Sequence, residues 1–453
     1  MTAGTSDTLM VSVSGVRGIV GKDLTPEFVA RWSAAFGILA RDGGSPVVVL
    51  ARDARTSGPM YTDAARSGLQ SVGCTVIDCG CIPTPTAQLA VEHHRAGGGI
   101  ILTASHNPIE WNALKFVGAD GLFLDQVAAG RLRSLAEGVV PRAGWDGLGG
   151  QRHDEDAIER HLRLVLALPY VDRKAIAARK FRVALDCVRG AGGTTMPRLL
   201  ERLGCTVSGI NLEPDGRFPR PPEPIPEHLG DLGALVRESG ANLGIAVDPD
   251  VDRLALVDET GRPIGEDYTL AFAVETVLRR RTGPVVVNFS TSLVVDDAAA
   301  AHGVTVTRAP VGEANVARAM RDAGAVVGGE GNGGVMLPEL HLGRDAPLAA
   351  ALVLDLLAGG SRPVSAWVAA RPRYAIVKAK APRGADLAAL YGALEARFPD
   401  AAPDRQDGLR LSWPGRWLHV RPSGTEPIVR IIAEAPTAAA ADALVTACRD
   451  TLV

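Results

Sequence analysis

Short aliphatic, β-branched runs alternate with Ala-, Leu- and Arg-rich helical patterns along most of this chain, and that alternation confines it to layered α/β folds with largely parallel strands. Strands are expected at Val47–Leu50, Thr75–Asp78, Gly99–Leu102, Arg182–Leu185, Thr206–Ile210, Leu243–Val247, Pro284–Asn288 and Val304–Thr307. Helices are expected between them at Pro26–Arg41, Thr62–Val72, Gly193–Leu203, Leu229–Ser239 and Asp267–Arg281. The pattern recurs in three blocks, each long enough for a small doubly wound sheet. At 453 residues the chain exceeds what one hydrophobic core supports, roughly 250–300 residues. Gly147–Gly150 with Arg152–Asp156 reads as a linker, and Gly359–Pro363 and Arg371–Pro372 mark a later break. After the break come strands Ala375–Lys380, Leu409–Ser412, Trp417–Arg421 and Val429–Ala435 and an Ala-rich helix. The expected division is therefore 1–150, 151–258, 259–370 and 371–453: three α/β domains with mixed or parallel sheets and a smaller α+β domain.

A hydrophobic fraction of 46% with 22% charged residues is the balance of a folded soluble protein. The net charge of −3 supplies no field for nucleic acid or an anionic membrane, so an anionic substrate must be met by local Arg and Lys. No basic residue precedes Arg17, and the apolar stretch Ala349–Leu357 contains Asp355 and is too short to cross a bilayer. Six cysteines, with only Cys79 and Cys81 close together, make neither a disulfide framework nor a zinc site. A cytoplasmic location is expected.

The densest chemistry follows the apolar run Leu243–Val247, where Asp248-Pro249-Asp250-Val251-Asp252-Arg253 begins. Sites in open α/β sheets lie at the carboxyl ends of strands. Three carboxylates at alternate positions repel one another unless a hard divalent cation joins them. Pro249 forbids a helix, and a turn lets the three carboxylates converge. An EF-hand requires Gly at the sixth position and Glu at the twelfth; Arg253 stands at the sixth, so that calcium loop is excluded.

Three further segments are suggestive. Thr103-Ala104-Ser105-His106-Asn107-Pro108 places a hydroxyl at a strand end, although Ser, Asn and Pro are also ordinary turn formers. Arg421-Pro422-Ser423-Gly424-Thr425-Glu426-Pro427 with Arg430 combines guanidinium forks, hydroxyls and a Gly-opened backbone, which suits an anion. Gly328-Gly329-Glu330-Gly331-Asn332-Gly333-Gly334 carries a carboxylate and an amide that suit sugar hydroxyls better than phosphate, and the same segment also reads as a tight hairpin.

Together, Thr103–Pro108, Asp248–Arg253, Gly329–Gly334 and Arg421–Pro427 resemble the four signature loops of the α-D-phosphohexomutase family, one per block and in the family's order. Ser14–Gly18, Arg52–Ser57, Pro83–Thr86, Ser290–Ser292 and Val311–Glu313 add lesser matches. The resemblance implies three α/β domains around a central cleft and a fourth, mobile domain. It implies that Ser105 carries a catalytic phosphate, with Arg17, Lys115 and His106 beside it and Lys115 available for proton transfer. It implies one Mg²⁺ held by Asp248, Asp250, Asp252 and the phosphate on Ser105, with Arg253 supporting that phosphate. Glu330 and Asn332 would grip sugar hydroxyls; Arg421, Ser423, Gly424, Thr425 and Arg430 would bind the substrate's other phosphate. The implied reaction passes a phosphoryl group from Ser105 to a hexose monophosphate and back through a 1,6-bisphosphate, which also serves as activator. The partner is thus a small hexose phosphate, with neither nucleic acid nor membrane, and both monomer and dimer stay open.

The chain departs from that pattern in places. Asn332 and Gly334 stand where many members have Ser and His, Ala113 follows Asn112 where Gly is usual, and Pro249 replaces a Gly. The Glu-Gly-Asn-Gly-Gly variant resembles that of phosphoglucosamine mutases and of archaeal-type phosphomannomutase/phosphoglucomutase enzymes, and glucosamine phosphate is the expected substrate. A non-catalytic sugar-phosphate-binding protein on the same fold would be expected to lack Ser105 or part of the Asp triplet.

Overall fold

Four sheets follow one another along the chain in a computed structural model that describes residues 9–12, 15–383, 386–423 and 428–452. In the first, the expected parallel core is present: Val47–Arg52 lies between Gly98–Leu102 and Thr75–Cys81. On the Gly98–Leu102 side the sheet continues antiparallel. Trp111–Gly118 pairs with Gly98–Leu102, Gly15–Ile19 pairs with Trp111–Gly118, and Met10–Ser12 closes the edge. Trp111–Gly118 escaped the hydrophobic pattern because buried Asn112 and Lys115 interrupt it. The residues taken as a linker also enter this sheet, since Gln151–His153 adds a short parallel edge strand beside Thr75–Cys81.

The second and third sheets are built alike, each a parallel trio with one antiparallel strand at the edge. In the second, Leu243–Val247 runs parallel to Arg182–Asp186 and then doubles back as Leu254–Val257. In the third, Val327–Glu330 runs parallel to Val285–Asn288 and doubles back as Gly334–Met336. The expected mixed or parallel sheets are thus mixed, each with a parallel core. The two return turns are Asp248–Arg253 and Gly331–Gly333, so both chemically dense loops are hairpin connections, and the Gly-rich segment takes the hairpin form of its two readings. The stretch expected to be a helix at Gly193–Leu203 splits into a 3-10 turn, Ala191–Thr194, and a helix, Met196–Arg202, which Pro197 restarts at its first turn. The strand expected at Val304–Thr307 sits at Val306–Ala309.

Every residue from Ala346 to Leu357 is buried, because this helix packs between the second and third blocks and joins their side chains into one continuous core. That burial accounts for the apolar stretch at Ala349–Leu357, and no described helix is long and apolar enough to cross a membrane. The fourth sheet is five-stranded and wholly antiparallel, covered by helices Leu387–Arg397 and Ala438–Thr451. It docks on the third block through buried Glu434, which accepts hydrogen bonds from Leu293 N at 2.9 Å, Ser292 Oγ at 2.5 Å and Trp417 Nε1 at 2.6 Å.

Close backbone approach sets one testable limit in the first domain. Helices Pro26–Asp42 and Gly58–Gln70 meet at Gly68, where a Cβ would lie 2.2 Å from the carbonyl oxygen of Ala30. Gly68→Ala must push the helices apart and is expected to destabilise the first domain by about 1–3 kcal/mol, the usual cost of overpacking, read as a lower first transition in a thermal melt.

Candidate active site

Backbone bonds from three directions fix the acidic turn. Thr84 N donates to Asp250 O at 2.9 Å, Ala191 N to Pro249 O at 2.9 Å, and Ala346 N to Val251 O at 3.2 Å. Val251 takes a left-handed φ of 63°, and Gly190 leaves room for Pro249, whose Cα would lie 2.6 Å from a Cβ there. Pinned this way, Asp248, Asp250 and Asp252 are fully buried with ligand atoms all within 4.8 Å of one another.

Each carboxylate is anchored. Asp250 Oδ2 takes hydrogen bonds from Lys115 Nζ at 2.6 Å and Thr84 Oγ1 at 2.8 Å. Asp252 Oδ2 takes one from Arg344 Nη2 at 2.5 Å, and Asp248 Oδ1 is approached by the amides of Asp252 and Arg253 at 3.2 and 3.3 Å. The Oδ1 atoms of Asp250 and Asp252 are buried with no hydrogen-bond partner. Arg253 Nε stands 3.7 Å from the Asp252 atom, and two anionic oxygens without hydrogen bonds in a dry site cost several kcal/mol unless a cation meets them more closely. An all-carboxylate donor set fits a hard divalent ion such as Mg²⁺. Burial first, then Asp252 and Asp250, pushes the Asp248 carboxyl well above the usual range. Burial also opposes charge on Asp250, yet Lys115 and Thr84 outweigh it and hold that carboxyl below the usual range.

Ser105 faces this turn from the first sheet. Its Oγ donates to Asp248 Oδ2 at 3.0 Å, and its φ of 48° is left-handed, a conformation that costs a non-glycine residue roughly 1–2 kcal/mol. Arg55, fully buried, holds the turn. It donates to the carbonyls of Ser105 and Asn107 at 2.7 and 2.6 Å, and to those of Pro108 and Trp111 at 2.7 and 2.9 Å. Its Nε is paired with Asp53 at 3.1 Å, and Thr103 links Asp53 to the amide of Ser105. Arg55 was visible in the sequence only as part of a lesser match.

Around Ser105 the expected neighbours assemble. Lys115 comes from the antiparallel strand and lies 3.8 Å from Asp252 as well as against Asp250. Burial works against its charge, but the two aspartates outweigh burial and raise its pKa. The raised value favours the ammonium form beside the acidic turn, which suits charge stabilisation. Burial, then Arg253 and Arg17, pushes His106 well below its ordinary value, so its imidazole is neutral, and its buried Nδ1 has no partner. Arg17 Nη1 donates to Asn107 Oδ1 at 2.6 Å, and Arg253 pairs with Glu223 at 3.2 Å.

The remaining residues lie in the third and fourth domains. Glu330 Oε1 accepts from Asn288 Nδ2 and Gly312 N, both at 2.9 Å, and Oε2 accepts from Arg344 Nη1 at 2.7 Å. Asn332 Oδ1 is buried and takes no hydrogen bond. In the fourth sheet Arg421 and Lys380 both stand directly opposite Arg430 on its two neighbouring strands. Three cations abreast on one face repel one another, and an anion relieves that repulsion. Arg421 also pairs with Asp407, which accepts the amide of Val311 at 2.9 Å and so ties this row to the third domain. Ser423 N donates to Ile428 O at 2.9 Å across the loop; Gly424 and Thr425, like Ser14, lie outside the described residues. Lys380 was missed because an exposed lysine in an edge strand carries no local signal.

Profiles described as Phosphoglucomutase/phosphomannomutase alpha/beta/alpha domains I, II and III match residues 9–138, 159–261 and 265–374, and that of the family's C-terminal domain matches 376–451. The chain belongs to this family. A Phosphoglucomutase/phosphomannomutase of Thermococcus kodakarensis is 40% identical, with 93% of each chain covered. A Probable phosphoglucosamine mutase of Methanopyrus kandleri is 37% identical over the same shares. The crystal structure of a Phosphoglucomutase/phosphomannomutase family protein from Burkholderia thailandensis superposes with a TM-score of 0.85 at 27% identity, covering 98% of each chain.

Within a phosphohexomutase the departures gain a physical meaning. Arg344, which nothing in the sequence singled out, joins the acidic turn to Glu330 and to Glu313, which it reaches at 3.0 Å. His341, the histidine nearest in the chain to Gly334, is buried against Asp345, which it shares with His161.

Proposed function

We propose that this chain moves a phosphoryl group reversibly between the two ends of a hexose monophosphate, with glucosamine 6-phosphate and glucosamine 1-phosphate as the pair. The observation that carries the reading is the placement of Ser105 Oγ, 3.0 Å from Asp248 in a turn where two further carboxylate oxygens lack a hydrogen bond, with a separate row of cations in the fourth domain. In the first half-reaction the bond between phosphorus and Ser105 Oγ breaks as phosphorus bonds the free sugar hydroxyl; that hydroxyl gives up its proton and Ser105 Oγ takes one up, giving the 1,6-bisphosphate and an unmodified serine. After the bisphosphate turns end for end, its other phosphate returns to Ser105 and the isomeric monophosphate leaves. Asp248, Asp250 and Asp252 would hold one Mg²⁺, whose chemistry is to neutralise charge on the transferring phosphoryl group.

The protein's own groups divide the remaining work. Lys115, Arg17 and Arg253 place positive charge around the Ser105 phosphoryl group, and Arg55 fixes the turn that presents it. His106, kept neutral, accepts or donates a hydrogen bond without adding charge. Arg421, Arg430 and Ser423, with Lys380 in the same row, grip the phosphate that is not reacting, whichever end of the sugar bears it. Glu330 has three of about four acceptor positions filled, which leaves one for the sugar, and Asn332 Oδ1 adds a second acceptor. One acceptor on a carboxylate and one on an amide suit a donor-rich ammonium at C2.

A second reading, glucose or mannose phosphate, is favoured by the name of the Thermococcus relative at 40% identity. Turnover on glucosamine, mannose and glucose 6-phosphates, with Mg²⁺ and the matching 1,6-bisphosphate, separates the two. Glucosamine phosphate is expected to lead in kcat/KM by about 10-fold or more, the scale of a few hydrogen bonds. The reverse order installs the second reading, and no turnover on any of the three ends the mutase reading.

A further inference from the structure

Gly334 has no conformational reason to be glycine. It lies in an ordinary extended strand, outside the left-handed region, paired in register with Glu330. Its reason is steric: a Cβ there would sit 2.2 Å from Cδ and 2.8 Å from Cγ of Arg344. The missing side chain is the passage through which the Arg344 stem reaches the site. Beyond it, the guanidinium spends one edge on each of three carboxylates. Nε meets Glu313 at 3.0 Å, Nη1 meets Glu330 at 2.7 Å, and Nη2 meets Asp252 at 2.5 Å. All four side chains are buried, so these contacts are not screened by water.

The consequence concerns how oxygens are allocated. Asp252 has one oxygen committed to Arg344 and the other without a hydrogen bond, its charge faced by Arg253 Nε at 3.7 Å, and Glu330 has its Oε2 committed to the same guanidinium. We infer that Arg344 is a positioning residue shared by the metal turn and the sugar loop: it aims the free oxygen of Asp252 at the metal and fixes the one acceptor that Glu330 keeps for the sugar, and Gly334 exists to admit it. A planar fork with fixed N–H directions can divide itself among three carboxylates, whereas a point-charge ammonium cannot. The inference rests on the functional reading above for what the two loops bind, but the coupling of the loops through Arg344 is independent of which sugar is used.

The test measures Mg²⁺ binding by calorimetry and steady-state kinetics in Arg344→Lys, Arg344→Ala, Gly334→Ala and the Gly334→Ala/Arg344→Ala double variant. Arg344→Lys and Gly334→Ala are each expected to weaken Mg²⁺ binding by about 10–100-fold, the range for loss of an outer partner of a metal ligand. At saturating Mg²⁺, KM for the sugar phosphate stays raised by about 5-fold or more while kcat recovers to within about 3-fold, because the sugar loop and not the phosphoryl chemistry is disturbed. In the double variant the alanine at 334 adds nothing, since the stem it obstructs is gone, so the two losses do not multiply. Arg344→Ala removes the one guanidinium that three buried carboxylates share and risks misfolding; Gly334→Ala and Arg344→Lys keep the charge and decide the matter alone if it does. Variants that lower the melting temperature yet leave Mg²⁺ affinity and KM within about twofold would overturn the inference, as would losses that multiply in the double variant. The calorimetry needs no turnover: weakened Mg²⁺ binding in a protein that isomerises no hexose phosphate upholds Arg344 and sinks only the functional reading.

Discussion

Ser105→Ala is expected to lower kcat for hexose phosphate interconversion by about 10³-fold or more, with little change in melting temperature. The size follows from the proposed role: the serine oxygen would be the atom to which phosphorus is bonded between half-reactions, and no other described hydroxyl reaches Asp248. The small stability change follows from what else holds the turn. Arg55 bonds four backbone carbonyls and Thr103 bonds the amide of residue 105, and none of these contacts uses the serine hydroxyl. Deleting that hydroxyl forfeits one hydrogen bond, about 1 kcal/mol. Intact mass supplies the second readout. Wild-type protein exposed to the 1,6-bisphosphate gains the mass of one phosphate and the variant gains none. Retained turnover, or phosphate still taken up by the variant, would place the carrier elsewhere.

The acidic turn was legible in the sequence because everything that defines it is local: an apolar strand, a proline and three aspartates within five residues. The cationic row of the fourth sheet was half legible. Arg421 and Arg430 stand near one another in the chain, but Lys380 reaches them only through strand pairing. Local patterns also located the parallel strands, and missed Trp111–Gly118 because the side chains that serve the site, Asn112 and Lys115, spoil the hydrophobic alternation there. The charge state of Lys115 was equally hidden. Availability for proton transfer came with the family resemblance, and the raised pKa follows from two aspartates more than 130 residues away in the chain, Asp250 being at a separation of 135. Arg344 was the least legible. It is 92 residues from Asp252, and its only trace is a glycine at 334 whose cause is a side chain crossing above it. Glycine in a strand signals close approach, but never says by what.

Asp248→Asn is expected to raise the stability of the metal-stripped protein while weakening Mg²⁺ binding by more than about 100-fold, beyond what loss of an outer partner alone produces. Both effects have one origin. Burial, with Asp252 and Asp250 alongside, raises the Asp248 carboxyl well above its ordinary value, so the folded protein binds a proton there more tightly than the unfolded chain. Stability from such a group is complete below the unfolded carboxyl value, about 3.9, and is lost as pH rises through the folded value. Asparagine carries no charge to bury and escapes that loss. In melts of chelator-treated protein between about pH 5 and pH 8, the wild type should therefore fall progressively behind the variant as pH rises. Saturating Mg²⁺ should reverse the order, because a ligand that binds only the folded state adds stability in proportion to the logarithm of its concentration over Kd. The wild type gains that increment and the variant does not. A variant that melts below wild type without metal, or that gains as much from Mg²⁺, would mean that the three aspartates are not held together against their own repulsion for a cation. The cost of keeping Asp248 in the metal-free fold is intelligible only if the occupied site returns it as phosphoryl-transfer chemistry at Ser105.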